Sequence, residues 1–331
     1  MTRCYILGAG FSKVCGFPLA SELTSPVFEN AYPLGNEQRE RARKAYLDFL
    51  QSIYLDCDFK IHWPNFEDVI TLLDEWERYR LDYEGPDPTS QGYNPKHLKT
   101  VLLKSMGLYF CKIVRECTEA HMSLIEDFVN SAVTSNDILI SLNWDLLIEV
   151  ACQSLGVNIN YGKDNEDCLS LIKPHGSLNL AEMSRDRYDK AKEAINVHNI
   201  ETIHENNGIV VVRAKNPSDS ANRIIHPFKD VLLVEPTARK AYLSTWIKQQ
   251  WQHALDVLRS INEIVIVGYS LPDTDFRPRI LLQLAGLYRK KLPSITIIDP
   301  DADRLIGHYK RFSRLEITPI KKSWKDWFRD I

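Results

Sequence analysis

Apolar runs of five or six residues, about the length of buried strands, recur along the chain and most are followed by helical patterns. The clearest are residues 3–7, 137–142, 263–267 and 294–298. Apolar strands that alternate with helices are typical of a parallel sheet covered on both faces. The pattern therefore predicts an α/β fold with a Rossmann-like parallel sheet and helices on both faces.

A long helical pattern separates the first of these runs from the second. Residues of about 35–135 are almost wholly helical in pattern, and Phe66, Val69, Ile70 and Leu73 recur at i, i+3, i+4 and i+7. We therefore predict a single domain over residues 1–331 with a helical subdomain inserted at 35–135.

Weaker patterns give the remaining elements. The first helix is expected to begin at about Pro18, because proline suits a first helical turn. Residues 181–208 are polar and predicted to be helical. Short strands are predicted at 157–161, 169–172, 209–213 and 231–234, and further helices at 146–155, 243–258, 280–290 and 302–312.

The net charge is close to zero, which argues against nucleic-acid binding by bulk electrostatics. The chain has 41 Lys and Arg against 44 Asp and Glu, a formal net charge of -3. The basic runs at 39–44 and 321–325 are typical of solvated helix faces. No direct nucleic-acid module is evident in the sequence.

The seven cysteines contain no C-x-x-C pair, which excludes the usual two-knuckle zinc site and makes a poor disulfide framework. Buried reduced thiols are expected, and no metal.

No apolar run approaches the roughly 20 residues that span a bilayer. The chain passes from Met1 directly into a strand pattern without a leader, so we expect a cytoplasmic protein with no membrane association.

Polar loops follow the apolar runs, and these loops are the candidate ligand sites. In an open parallel sheet, ligands bind outside the carboxyl ends of the strands, near the point where the strand order reverses. The loops at that edge would be 8–12, 143–145, 173–179, 268–275 and 299–303.

The first of these loops has the glycines that a diphosphate site requires. A diphosphate must approach backbone N–H groups at a helix N-terminus, where a Cβ atom would obstruct it. Gly8 and Gly10 meet that need, and Ser12 can add a hydroxyl donor. A full dinucleotide motif would place a third glycine where this chain has Lys13, so a tight turn without a ligand remains the alternative.

Four short motifs, in order and with matching spacing from residue 3 to about 303, resemble those of the sirtuin-like family. They are Gly8-Ala9-Gly10-Phe11-Ser12 with Gly16-Phe17-Pro18, Ser141-Leu142-Asn143-Trp144-Asp145, Lys173-Pro174-His175-Gly176-Ser177 and Val267-Gly268-Tyr269-Ser270-Leu271.

Two departures distinguish the chain from the protein deacetylases of that family. Pro18 is followed by Leu19-Ala20-Ser21 rather than by Asp-Phe-Arg, and the four-cysteine zinc module after the His-Gly motif is absent. With Asn65-Phe66-Glu67-Asp68 opening a helix, the chain looks like the bacterial anti-phage defence branch. That resemblance implies hydrolysis of NAD+ to nicotinamide and ADP-ribose by a regulated effector of abortive infection.

The resemblance also implies roles for individual residues. Asn143 would hold a water or a ribose hydroxyl, and His175 would be the general base. Asp145 would contact the nicotinamide carboxamide. The remaining NAD contacts would come from Gly8, Ala9, Gly10, Phe11, Ser12, Gly268, Ser270 and Asp299.

Structural alternatives exist for several of these positions. Asn143 could form an Asx turn, and Asp299 or Asp301 could cap a helix. Asp273 and Asp275 could either cap the next helix or line the nucleotide pocket. The alternative functions are an NAD-dependent protein deacylase or ADP-ribosyltransferase, or a sensor that binds NAD or ADP-ribose without turnover.

An unregulated NADase would drain its own cell, so we expect the activity to be controlled. Control could come from homo-oligomerisation or from a partner protein, such as a nucleic-acid sensor or a motor ATPase. The helical region at 35–135 is the candidate assembly surface.

Overall fold

The computed structural model describes most of the chain, in two compact units. It covers residues 2–30, 36–54, 58–59, 62–80, 94–161, 168–182, 200–204, 209–214, 233–234, 237, 244–287, 292–312 and 316–330. The first unit comprises Met1–Phe17, Ile113–Val234 and Tyr242–Ile331, and the second comprises Pro18–Lys112 and Glu235–Ala241.

A seven-stranded parallel sheet forms the centre of the first unit. In spatial order its strands are β10 (Ile317–Ile320), β9 (Ser294–Ile298), β8 (Glu263–Val267), β1 (Cys4–Leu7), β2 (Ile138–Ser141), β4 (Cys168–Ile172) and β3 (Asn158–Asn160). Strands β2, β4 and β3 lie on one side of β1, and the later strands β8, β9 and β10 lie on the other. The strand order therefore reverses between β1 and β8.

The apolar runs form the strands because both faces of the sheet are covered. All four residues of β1 are buried, and Ile6 is in register with Ile140 on one side and Ile266 on the other. The helices of this unit are α1 (Ala9–Ser12), α6 (Glu119–Thr134), α7 (Leu147–Ser154), α8 (Thr245–Ser260), α9 (Phe276–Ala285), α10 (Ala302–Phe312) and α11 (Trp324–Arg329). The predicted Rossmann-like α/β class is confirmed.

A second, antiparallel sheet corrects the helix predicted over 181–208. Its strands are β5 (Leu180–Glu182), β7 (Ile209–Ala214) and β6 (Ile200–His204), in that spatial order. Pairing with the distant β7 favours extended backbone at both ends of the predicted helix, since cross-strand partners override a local pattern. Residues 183–199 lie outside the described residues. From the strand predicted at 231–234, Leu233 forms one bridge with Gly176.

Two helix starts also differ from the sequence predictions, and two short elements were not predicted. The first helix, α1, begins at Ala9, with Gly8 as its N-cap, and not at Pro18. Helix α9 begins at Phe276 rather than 280, with Pro278 in its first turn, where proline is tolerated. Strand β10 and helix α11 were not predicted, since their segments are short and half-exposed.

The second unit is helical. It contains α2 (Thr24–Asn30), α3 (Asn36–Ile53), α4 (Phe66–Arg80) and most of α5 (Pro95–Glu116). The apolar stripe of α4 is buried as its spacing predicts, and Lys99 Nζ lies 2.9 Å from Asp74 Oδ1 between α5 and α4. Among the helices of the described ranges, none has the length and hydropathy of a membrane span.

Candidate active site

The loops after β1 and β8 meet at the point where the strand order reverses. The Gly8 N–H donates to the Val267 carbonyl at 3.0 Å, and the Gly10 N–H donates to the Gly268 carbonyl at 2.8 Å. Helix α1 therefore starts directly against the loop that follows β8. This is the place where open α/β sheets bind their ligands.

The glycines of both loops are required by this close backbone approach. A Cβ atom on Gly8 would lie 2.6 Å from the Gly268 oxygen, and one on Gly10 would lie 2.7 Å from the Gly268 Cα. Gly268 itself has a φ of 58°, in the left-handed region. Loop packing thus explains the glycines without reference to a ligand, a reason that the local sequence did not reveal.

Ser12, Asn143 and Asp145 form a hydrogen-bonded group between α1 and the loop after β2. Asn143 Nδ2 donates to the Gly8 carbonyl at 2.8 Å and to Ser12 Oγ at 2.9 Å. Ser12 Oγ donates to Asp145 Oδ2 at 2.6 Å. Because both amide hydrogens of Asn143 point into the protein, a water or a hydroxyl at this side chain would have to be held by Oδ1.

A buried ion pair between Lys173 and Glu149 contacts the backbone of this group. Lys173, whose residue is 1% exposed, places Nζ 3.1 Å from Glu149 Oε1 and donates to the backbone oxygen of Asp145 at 2.8 Å. Ser177 Oγ donates to the same Glu149 oxygen at 3.1 Å. The ends of β4 and α7 are thereby tied to the loop that contains Asn143.

His175 is buried beside the same loop with a defined tautomer. Its Nδ1 lies 3.1 Å from the Leu142 carbonyl, and a carbonyl can only accept, so Nδ1 is the donor. The residue is 4% exposed and its ring centroid lies 5.6 Å from that of Trp251. Nε2 is consequently the nitrogen that remains for base chemistry.

Asp275 meets the other edge of the imidazole. Its Oδ1 lies 3.4 Å from His175 Nε2, and its Oδ2 accepts from the Tyr269 hydroxyl at 2.8 Å. Tyr309 on α10 donates its hydroxyl to the Tyr269 carbonyl at 2.5 Å. Burial, with a smaller contribution from the Asp299 carboxylate, raises the pKa of Tyr309 well above its usual value, so this hydroxyl stays a donor.

The other sequence-predicted residues lie around the same edge of the sheet. Ala9 and Ser270 are exposed there. Phe11 turns its ring into a core cluster with Phe128 and Trp324, so only its backbone faces the loop region. Asp299 directly follows β9, two strands from β1, and its Oδ1 accepts from the Asp301 N–H at 2.8 Å.

Sequence reasoning missed Lys173 and Glu149 as supports of the site and left Asp275 undecided. Glu149 is the one charged residue of a mostly apolar helix, and Lys173 directly follows a mostly apolar strand. Charged residues in such surroundings are rarely buried unless paired, which was the available signal. Among the described residues, no three His, Cys, Asp or Glu side chains come together as a metal site.

Several solved structures of Sir2 proteins are similar to this chain at low identity. Sir2Tm bound to a propionylated peptide is 12% identical, with 100% of this chain and 91% of that chain covered and a TM-score of 0.38. A Sir2 homologue in complex with ADP-ribose is 14% identical, with 99% and 89% covered and a TM-score of 0.41. No protein-family model matches the chain, and no curated protein matches it. The fold class is defined by the sheet order itself.

Proposed function

We propose that this protein is an NAD+ glycohydrolase that releases nicotinamide and ADP-ribose. The observation that supports this best is the meeting of Asn143 and His175, which follow different strands, at the loop after β2: Asn143 bonds to Gly8 of the glycine loop and His175 bonds to the Leu142 carbonyl, next to the strand switch point. The order of the four sirtuin-like motifs supports NAD as the substrate. In this proposal the loop after β1 and the start of α1 hold the diphosphate, with Gly268, Ser270 and Asp299 completing the nucleotide contacts.

The proposed reaction needs little covalent participation from the protein. The bond between the ribose C1′ and the nicotinamide nitrogen breaks, its electron pair leaves with nicotinamide, and an oxocarbenium-like carbon develops. A water oxygen attacks that carbon and gives its proton to His175 Nε2, which passes it to solvent. Asn143 Oδ1 would hold the water or a ribose hydroxyl, and Asp145 would orient the carboxamide.

We further propose that the enzyme is a regulated effector of bacterial antiviral defence. The sirtuin-like motifs that depart from the deacetylase pattern support this assignment. Homo-oligomerisation or an activating partner would control turnover, with residues 35–135 as the assembly surface.

Nicotinamide release from NAD tests the activity directly. Wild type should release nicotinamide, and Asn143→Ala and His175→Ala should each lower the rate by at least about 100-fold, as expected for loss of a catalytic group. His121→Ala, in the first turn of α6, is the matched control and should retain wild-type turnover. Circular dichroism checks that each variant is folded.

The outcomes separate the alternatives. Nicotinamide release that requires an acylated peptide would indicate a deacylase, and transfer of ADP-ribose to protein would indicate a transferase. NAD binding by calorimetry without turnover, in the oligomer as well as the monomer, would indicate a sensor. Full activity in both site variants would exclude the assigned residues.

A further inference from the structure

Asp275 lies beside the one ring atom that His175 can use as a base. Nδ1 is occupied by the Leu142 carbonyl at 3.1 Å, which leaves Nε2. Nε2 is buried and has no hydrogen-bond partner within the described part of the chain, although Asp275 Oδ1 is 3.4 Å away. The carboxylate is therefore close enough for a strong Coulombic interaction with the ring, although it makes no hydrogen bond to Nε2.

The Asp275 side chain interacts with the site and not with the helix that follows it. Asp275 occupies the N-cap position of α9, yet its side chain makes no capping hydrogen bond. Its Oδ2 is held by the Tyr269 hydroxyl, and the residue is buried. Asp273, two residues earlier, has a side chain that is 93% exposed and pairs with Arg279. The two acids of this loop thus have different surroundings.

The other charged groups around the imidazole have partners of their own. The Asp145 carboxylate accepts from a serine and a backbone N–H, and the Lys173 ammonium is paired with Glu149. The Arg277 guanidinium lies over the Trp251 ring at 5.7 Å from its centroid. Within the described residues, Asp275 is the acid whose oxygen lies within 4 Å of the ring nitrogens.

We propose that Asp275 is the positioning residue of His175. Its carboxylate, fixed by Tyr269, orients the Nε2 edge and stabilises the imidazolium that forms when Nε2 takes the proton of the attacking water. The C–O bond to the ribose forms as the bond to nicotinamide breaks, so the positive charge moves from the substrate to the ring beside Asp275. This inference rests on the proposed NAD glycohydrolase function.

Asp275→Asn tests the role of the charge, with Asp273→Asn as the matched control on the same loop. The asparagine oxygen can still accept from Tyr269, which turns the amide nitrogen toward Nε2. The substitution thus removes the charge and puts an N–H donor beside the ring, and both changes disfavour the imidazolium. We expect kcat to fall about 10- to 100-fold and KM to change less than about threefold. Since a carboxylate favours the protonated ring, its removal should move the acidic limb of the pH–rate profile about one unit lower. Asp273→Asn should leave that limb in place, because solvent screens an exposed charge.

Nuclear magnetic resonance of the histidine ring gives a readout that does not depend on turnover. Each protein is labelled at histidine, and the His175 signal is identified by its loss in His175→Ala. The titration midpoint of that signal should be about one pH unit lower in Asp275→Asn than in wild type, and unchanged in Asp273→Asn. If wild type turns over NAD but the two asparagine variants share one pH profile and one titration, the Asp275 inference is wrong and the proposed function stands. If wild type shows no turnover while the titration still depends on Asp275, the glycohydrolase proposal fails and the pairing remains.

Discussion

Lys173 and Glu149 are an opposite-charge pair placed where neither residue reaches solvent. Removing one partner of such a pair leaves a buried charge without compensation, whereas replacing both by apolar residues is often neutral. The pair also holds the Asp145 carbonyl, so its effect extends to the loop that contains Asn143.

We expect Lys173→Met to lower the free energy of unfolding by about 3–5 kcal/mol, because the Glu149 carboxylate would be left unpaired. The double variant Lys173→Met/Glu149→Leu should be more stable than Lys173→Met alone. Urea unfolding followed by circular dichroism measures both. If Lys173→Met/Glu149→Leu is no more stable than Lys173→Met, the unpaired Glu149 charge is not the cause of the loss and the interpretation is wrong.

At the scale of elements, helix α1 and the loop after β8 are held together by backbone contact without intervening side chains. Gly10→Ala would place a Cβ 2.7 Å from the Gly268 Cα, so one loop must move. We expect a loss of about 1–3 kcal/mol of unfolding free energy and weaker NAD binding. Thermal unfolding and calorimetry measure the two effects.

Gly307→Ala is the control for that substitution. Gly307 lies within α10, and a Cβ there would meet nothing within 4 Å. Alanine is the better helix former by about 1 kcal/mol, so this variant should be slightly more stable than wild type. Equal destabilisation by the two alanines would contradict the role assigned to loop contact.

The sequence predicted the strands that are buried along most of their length. Strands β8 and β9 were predicted with their observed bounds, because buried apolar runs between turn residues have few alternatives. Strand β10 was missed: it is a half-exposed edge strand with Pro319, and its pairing with β9 makes it a strand. Strand β6 likewise forms because it pairs with β7, and the local sequence of β6 does not reveal that pairing.

The candidate site divides in the same way. Asn143 and His175 lie in loops that follow apolar runs, where parallel strands end at one edge, and the resemblance to the sirtuin-like motifs selected them among the residues of those loops. The Asp275–His175 contact could not be predicted, since it depends on which strands flank β1 and on the paths of two loops. The ambiguity between a helix cap and a pocket residue at Asp275 is resolved by where the side chain points, which the local sequence leaves open.

At the scale of the whole molecule, folding buries thiols and phenols that ionise at alkaline pH. Burial, with a smaller effect of the Asp137 carboxylate, raises the pKa of the Cys4 thiol. A hydrogen bond with Cys117, followed by burial, raises the pKa of Cys15. Burial raises the pKa of Tyr5 to about 12. Each of these groups is thus held in its neutral form by the native structure.

Stability should therefore fall at alkaline pH. In the unfolded chain a thiol ionises near pH 8.5, so above that pH the unfolded state releases protons that the folded state retains. The stabilisation is complete below about pH 8 and declines as the pH rises toward the folded pKa values. With two thiols contributing about 2 kcal/mol each, we expect the free energy of unfolding to drop by about 4 kcal/mol between pH 8 and pH 10. Urea unfolding across this range, under reducing conditions, measures the slope. Cys4→Ala should roughly halve the slope whatever its effect on stability at pH 7, and an unchanged slope would show that Cys4 is not one of the groups responsible.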